Sequence, residues 1–368
     1  MFTKTLNNFF GAFADGAILF PLLMTLSFQN GMNLTYLLLS SGLAYLVAGY
    51  IFKIPMAVQP LKSIAIAGLS VGASALEIRA AGILLGLVFL LSLLFDVNAL
   101  AKKVPERLIH GIQIGLGIIL IQQSLKYVSP IGVEWLAPIS FAVVGILFLT
   151  YKYQFPILGI FTSLVFFGSL FWAQKSELPI HLNQNGLRPL LILSLLLPQI
   201  VLTSANSILA TVNVSEKYFG EKARKVTVSR LICMIGLGNI FSGVIGGLPF
   251  CHGSGGVTAH YNGGARSNLS NYIIGSILII GAIAVIFFGS AKITFSPLLL
   301  SIPLMAVGIM HAKLASTSWS QGWPIKLQLT MMAMAALISG NMLWVLAVGI
   351  LFELIIKFSP LVFVRRVA

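Results

Sequence analysis

Runs of about twenty apolar residues, separated by short polar or basic stretches, recur from one end of the chain to the other. Each is long enough to cross the ~30 Å hydrocarbon layer as a helix. The pattern predicts about fourteen segments. The first seven begin near Asn8, Met32, Pro55, Leu76, Pro105, Trp135 and Phe155, and the second seven near Pro189, Val226, Pro249, Leu269, Ser296, Ile325 and Asn341. The expected fold class is an all-α polytopic membrane protein. An odd number of segments per half makes the second half enter from the opposite side. Seven plus seven therefore predicts an inverted repeat, a common plan of secondary transporters. No residue-level identity links the halves; what corresponds is a broken segment, third in one half and tenth in the other.

The third segment, KIPMAVQPLKSIAIAGLSVGA at residues 53–73, holds breakers where a spanning helix would carry leucine. Pro60 has no N–H to donate and disfavours helix at Gln59, yet it suits the first turn of a helix. Extended chain from Pro55 to Gln59 and a short helix from Pro60, starting near mid-bilayer, are expected. The tenth segment, GGLPFCHGSGGVTAHYNGGAR at 246–266, repeats the device with Pro249 and then His252, Gly253, Ser254, Gly255 and Gly256. A glycine-rich turn entering a helix presents backbone N–H groups to a ligand, and Ser254 is the expected cap. Inverted halves bring the two helix N-termini together near the midplane.

Composition agrees with the pattern. The chain is 58% hydrophobic and 9% charged, against roughly 25% charge in a soluble domain, and its mean hydropathy is +0.98. The formal net charge of +14 would suit a nucleic-acid binder, but Lys and Arg also gather on the cytoplasmic side of membrane proteins. With the N-terminus inside, alternation leaves Arg79, Lys126, Lys175, Arg188 and Lys292 outside and Lys62 within a segment; the rest of the 23 Lys and Arg fall inside. That asymmetry supports the segment count and cytoplasmic termini, and no nucleic-acid partner is expected. The most charged stretch, residues 213–230, reads as a solvated cytoplasmic loop. The first apolar run continues past the AFA at 12–14, so a span rather than a cleaved signal is expected. Short loops and no targeting extension point to a bacterial inner membrane, with the lipid bilayer as partner. Cys233 and Cys251 lie in apolar segments and imply no disulfide framework.

The chemistry concentrates at the breaks. Lys62 stands in the first turn of a half-helix, where the dipole disfavours a cation, and at a depth where an isolated charge costs about 2.5–3.5 kcal/mol or more. An anion nearby would relieve both. Two helix N-termini supply roughly +1, and Lys62 raises this to roughly +2, a match for a doubly charged tetrahedral oxyanion. Asp15, within the first span, could instead pair with Lys62 or carry a coupled proton. In the eighth segment Pro198 frees a carbonyl, and Gln199, Thr203, Ser204, Asn206 and Ser207 form a polar cluster that either lines a cavity or bonds helices together. His252, His260 and Cys251 lack the spacing of a structural zinc site. GLGNIFSGVIGG at 236–247 reads as a small-residue face for helix packing. No nucleophile–base pair or P-loop appears, so neither an enzyme nor a cofactor is expected.

These motifs resemble those of the molybdate transporter family of plants and microbes, related to the sulfate permeases. ADGAILFPLL at 14–23, PMAVQPLKSIAIA at 55–67, LPQIVLTSANS at 197–207 and PFCHGSGGVTAHYNGGARS at 249–267 carry the resemblance, in order across both halves. The chain departs from it at Ala14, Gly16, Ala17, Ala57 and His260. The resemblance implies a core of spans one to four and eight to eleven (residues 1–98 and 186–291) and a gate from the other spans (99–174 and 292–368). It also implies oxyanion uptake and no C-terminal regulatory domain; a homodimer follows by analogy alone. The expected substrate, a small inorganic oxyanion, is molybdate first and sulfate second. Gln59, Lys62 and Ser63 would contact it from one half-helix, and His252, Gly253, Ser254, Gly255 and Gly256 from the other. Gln199, Thr203 and Asn206 would line the cavity, and Asp15 would place or balance Lys62. Rival readings are a carrier of a nucleobase, benzoate or bicarbonate, a passive anion channel, and a receptor or scaffold.

Overall fold

The computed structural model describes residues 2–95, 104–129, 133–153, 156–171, 186–288 and 297–358. The segment starts at Phe155 and Ser296 lie outside them, as do Lys102, Lys103, Lys175, Lys292, Arg365 and Arg366. In the first part of the chain come α1 (Phe2–Phe13), α2 (Gly16–Phe28), α3 (Leu34–Phe52), a two-residue strand β1 (Gln59–Pro60), α4 (Lys62–Ser70), α5 (Ala75–Ser92), α6 (Glu106–Val128), α7 (Leu136–Tyr153) and α8 (Ile157–Phe171). Then follow α9 (Pro189–Leu202), a π-helical turn (Thr203–Leu209), α10 (Ala210–Phe219), a 3-10 turn (Gly220–Lys225) and α11 (Val228–Ile245). The order ends with β2 (Phe250–Cys251), α12 (Ser254–Asn262), α13 (Leu269–Phe288), α14 (Pro297–Lys313), α15 (Ser316–Trp319), α16 (Trp323–Ser339) and α17 (Met342–Phe358).

Among the described residues, seven helical stretches are long and apolar enough to cross a membrane, and the pair α1–α2, bent by 40°, makes an eighth. The chain is a multi-pass integral membrane protein. The first span is not one rod. Its helix stops at Phe13 and restarts at Gly16, because His260 Nδ1 bonds the Gly11 carbonyl at 2.7 Å and the Gly159 backbone lies against the break. A Cβ on Gly159 would stand 2.9 Å from the Ala14 carbonyl.

Helices pair across the two halves of the chain. The most extensive contacts join α6 to α14, α3 to α13 and α5 to α11. At each crossing two glycines face one another. A Cβ on Gly42 would meet the Gly275 carbonyl at 2.8 Å, one on Gly86 the Gly236 carbonyl at 2.6 Å, and one on Gly117 the Gly308 carbonyl at 2.6 Å. Without a hydrophobic driving force between helices in lipid, such close backbone approach is what gives dispersion its reach.

At the centre, β1 and β2 pair antiparallel, Gln59 opposite Cys251 and Pro60 opposite Phe250. Leu61 N–H donates to the Pro249 carbonyl at 2.9 Å, which holds Leu61 extended at φ −61°, ψ 97°. Helix α4 therefore begins at Lys62, and Pro60 belongs to the strand instead of the first helical turn. Two strand residues cannot satisfy a buried backbone alone, and asparagines complete the pairing. Asn239 accepts from Phe250 N–H at 2.8 Å and donates to its carbonyl at 2.7 Å. Asn271 does the same for Met56, at 2.9 and 2.7 Å.

Candidate functional site

Antiparallel pairing sends α4 and α12 away from the crossing in opposite directions, their first turns flanking it. The first turn of α12 is open: Gly255 is exposed, with nothing within 4 Å of where a Cβ would stand. Gly253 caps this helix with no side-chain bond. Ser254, the expected cap, instead donates its hydroxyl to Asn206 Oδ1 at 2.7 Å. Gly253 and Gly256 are glycines because the other broken segment lies against them. A Cβ on Gly253 would sit 2.5 Å from Gln59 Oε1, and one on Gly256 2.4 Å from the Ala57 Cβ and 2.8 Å from Asp15 Oδ1.

Asp15, at the break between α1 and α2, is buried. Its carboxylate accepts from the Tyr45 hydroxyl at 2.9 Å and from Gln59 Nε2. No ion pair within 4 Å joins it to Lys62 among the described residues. Gln199 binds the start of α4, accepting from Ser63 N–H at 2.7 Å through Oε1 and donating from Nε2 to Thr203 Oγ1 at 2.9 Å. The π-turn that follows is widened five residues after Pro198, and Thr211 Oγ1 bridges the Asn206 and His252 carbonyls at 3.0 and 2.6 Å. Such π-bulges mark places where a helix gives up regularity to aim side chains.

Lys62 is half-buried and its ammonium has no hydrogen-bond partner among the described residues. It lines a narrow, partly open cleft of about 10 Å³, with Gln199, Asn206, Ser207 and Cys251 on one side and Gln113 and His311 on the other. The structure thus brings together Lys62, Gln199 and Asn206, with Thr203 hydrogen-bonded to Gln199 and Ser254 to Asn206. It sets Asp15 and Gln59 behind them, beside Gly256. His252 faces away: its ring lies between Phe52 and Phe250, centroids 5.4 and 5.7 Å apart, and its Nδ1 bonds the Ala57 carbonyl at 2.7 Å. Ser63 Oγ is buried with no hydrogen-bond partner among the described residues.

The sequence reading missed Gln113 on α6, His311 on α14 and the partners Tyr45, Asn239 and Asn271. Asn239 was hidden in a run read as small residues, and only its opposition to β2 distinguishes it. Gln113 and His311 sit in long helices with no distinct polar face, and nothing short of the helix pairing points them at Lys62.

A helical bundle around a buried crossing of two broken segments, with a polar cleft carrying a cation unpaired among the described residues, places this chain among multi-pass membrane transporters. The chain belongs to the family described as molybdate transporter of MFS superfamily, which matches residues 7–120 and 192–317. Molybdate transporter 2 of Arabidopsis thaliana is 25% identical over 364 residues, covering 82% of this chain and 75% of that protein. Molybdate transporter 1 of the same plant is 24% identical, covering 73% and 70%. In fold, the chain is similar to the transmembrane domain of the cyanobacterial bicarbonate transporter BicA, with a TM-score of 0.62, 17% identity, and 96% and 98% of the two chains covered. It is also similar to the murine anion transporter Slc26a9 in its inward-facing state, with a TM-score of 0.65, 14% identity, and 96% and 68% covered.

Proposed function

We propose that this chain is a secondary transporter of a tetrahedral oxyanion, molybdate first and sulfate second, and not an enzyme. The observation that carries the proposal is the cleft at Lys62, where an ammonium unpartnered among the described residues stands in the first turn of α4, with Cys251 of β2 and Asn206, the partner of Ser254 at the start of α12, in the same lining. Each helix N-terminus is worth about half a positive charge, so Lys62 and the two ends supply roughly +2, less what the Asp15 carboxylate beside Gly256 offsets. An anion is favoured there, whereas a neutral nucleobase would leave the ammonium uncompensated. Membership of a family described by molybdate transport favours the same substrate.

In this reading the anion sits against Lys62 and the first-turn amides of Ser254 and Gly255, with Ser63 Oγ and Asn206 Nδ2 donating around it, while Gly256 N–H stays on the Gly253 carbonyl. Gln199 and Thr203 hold the α4 end in place, and Gln59 and Asp15 the α12 end. His252 acts through the strand rather than by contact. Asp15 serves the site as an acceptor for Gln59 and Tyr45. Helices α1–α5 and α9–α13 form a core and α6–α8 and α14–α17 a gate. Supporting this division, the most extensive helix contacts, α6–α14, α3–α13, α5–α11 and α6–α16, each fall inside one set. The halves are inverted repeats of seven spans. Exchanged partners support this: second span with eleventh and ninth with fourth, first with seventh and eighth with fourteenth. The cleft lies between core residues and the gate residues Gln113 and His311, so movement of one set against the other would alternate access.

The test is uptake of labelled molybdate and sulfate by proteoliposomes, with and without an imposed pH gradient. Saturable accumulation of molybdate above the external level, competed by sulfate, is the expected result. Equilibration without accumulation under any gradient would make the protein a passive channel, and no oxyanion flux at all would reject the proposal.

A further inference from the structure

On the lipid-facing side of the bundle, α3 and α11 run antiparallel and leave a groove of about 520 Å³. Leu43, Val47, Ile51, Leu237 and Phe241 form its walls, and Phe250 of β2 is its floor. From Ser40 to Ile51 it follows eleven residues of α3, roughly 17 Å at 1.5 Å per residue, close to half the ~30 Å hydrocarbon thickness. The two serines at its closed end are spent on backbone. Ser40 Oγ accepts from Leu248 N–H at 2.8 Å, and Ser242 Oγ donates to the Leu248 carbonyl at 2.5 Å.

Charge enters at one end only. Arg230, the one charged side chain lining the groove, is exposed beside Ile51. The same end carries Lys53 at the C-terminus of α3 and Lys222, Arg224 and Lys225 of the 3-10 turn that packs on α3, against Glu216 and Glu221. A groove one leaflet long, apolar along its length and cationic at its mouth, selects an amphiphile with one anionic head.

We propose that this groove binds one anionic phospholipid from the leaflet at the Arg230 end, an acyl chain lying against Phe250 and the phosphate on Arg230. The Phe250 ring stacks edge-on against His252, centroids 5.7 Å apart. A bound chain therefore buttresses the strand crossing from behind.

The experiment is native mass spectrometry of the purified, delipidated full chain titrated with phosphatidylglycerol or phosphatidylcholine. It reads lipid retention alone, so its failure and the failure of oxyanion transport are separable. Wild type is expected to retain a single phosphatidylglycerol, preferred over phosphatidylcholine by at least about fivefold, the effect of roughly one basic side chain at an anionic headgroup. Val47→Trp, which fills the groove, should abolish the tight site for both lipids, and Leu43→Trp serves if that variant does not fold. Arg230→Gln should keep the site and lose the headgroup preference. Retention unchanged in the groove-filling variant, or the preference unchanged in Arg230→Gln, would overturn the proposal.

Discussion

Lys62 is the residue on which the site's electrostatics turns. It stands at a helix start, where a cation is disfavoured, and has no hydrogen-bond or ion-pair partner among the described residues to offset that. Lys62→Met should lower oxyanion binding by at least about tenfold, equivalent to ~1.4 kcal/mol, while the protein still elutes as a folded species. Undiminished molybdate binding by that variant would remove Lys62 from the site. Gln113→Leu and His311→Ala test the opposite wall: each should raise the concentration needed for half-maximal uptake, and no change in either would place the anion on the core side only. Asn239 offers a structural counterpart. Asn239→Leu leaves the N–H and C=O of Phe250 without partners, and each orphaned buried group costs about 1–3 kcal/mol. Thermal melting followed by size-exclusion should therefore show a marked loss, larger than that for Asn268→Leu, whose amide meets one partly buried carbonyl. At this scale, Lys62, Gln59 and the His252–Gly256 run were legible because each breaks a local rule of membrane helices. Tyr45, Gln113, His311 and Asn271 break none, so only their neighbours reveal them.

At the scale of elements, the three glycine-on-glycine crossings fix how close the helices come. Placing a branched side chain where a Cβ already meets backbone at 2.6 Å forces the helices apart, and overpacking of this kind costs about 1–3 kcal/mol. Gly86→Val and Gly117→Val should each lower the melting temperature, whereas Gly145→Ala, whose Cβ would meet nothing within 4 Å, should leave it unchanged or raise it. Equal melting of all three would mean that these contacts do not limit packing. Breaks in the third and tenth segments could be read from Pro60, Pro249 and the glycines, because proline and glycine act locally. The break at Ala14–Asp15 could not. It is imposed by His260 and Gly159 from other helices. The shift of the α4 start from Pro60 to Lys62 has a similar origin, since the bond from Leu61 to Pro249 crosses between halves.

Across the whole molecule, the proposed division into core and gate makes the cleft a place that opens and closes. Cys251 lines that cleft, while Cys233, the other cysteine, lines the lipid-facing groove. A small charged thiol reagent should therefore modify Cys251 in a Cys233→Ser background, and saturating molybdate should slow it; a rate indifferent to molybdate would separate the cleft from the anion. Hydrophobic period, run length and charge bias settled by themselves that this chain lives in a bilayer and crosses it many times, because the bilayer imposes those features on any spanning sequence. Proline and glycine at depth marked two interruptions for the same reason. Which helices meet, which polar groups face the cleft, and that Asp15 serves Gln59 and Tyr45 were decided only in three dimensions. Those choices rest on contacts between residues tens to hundreds of positions apart, and no local pattern encodes them.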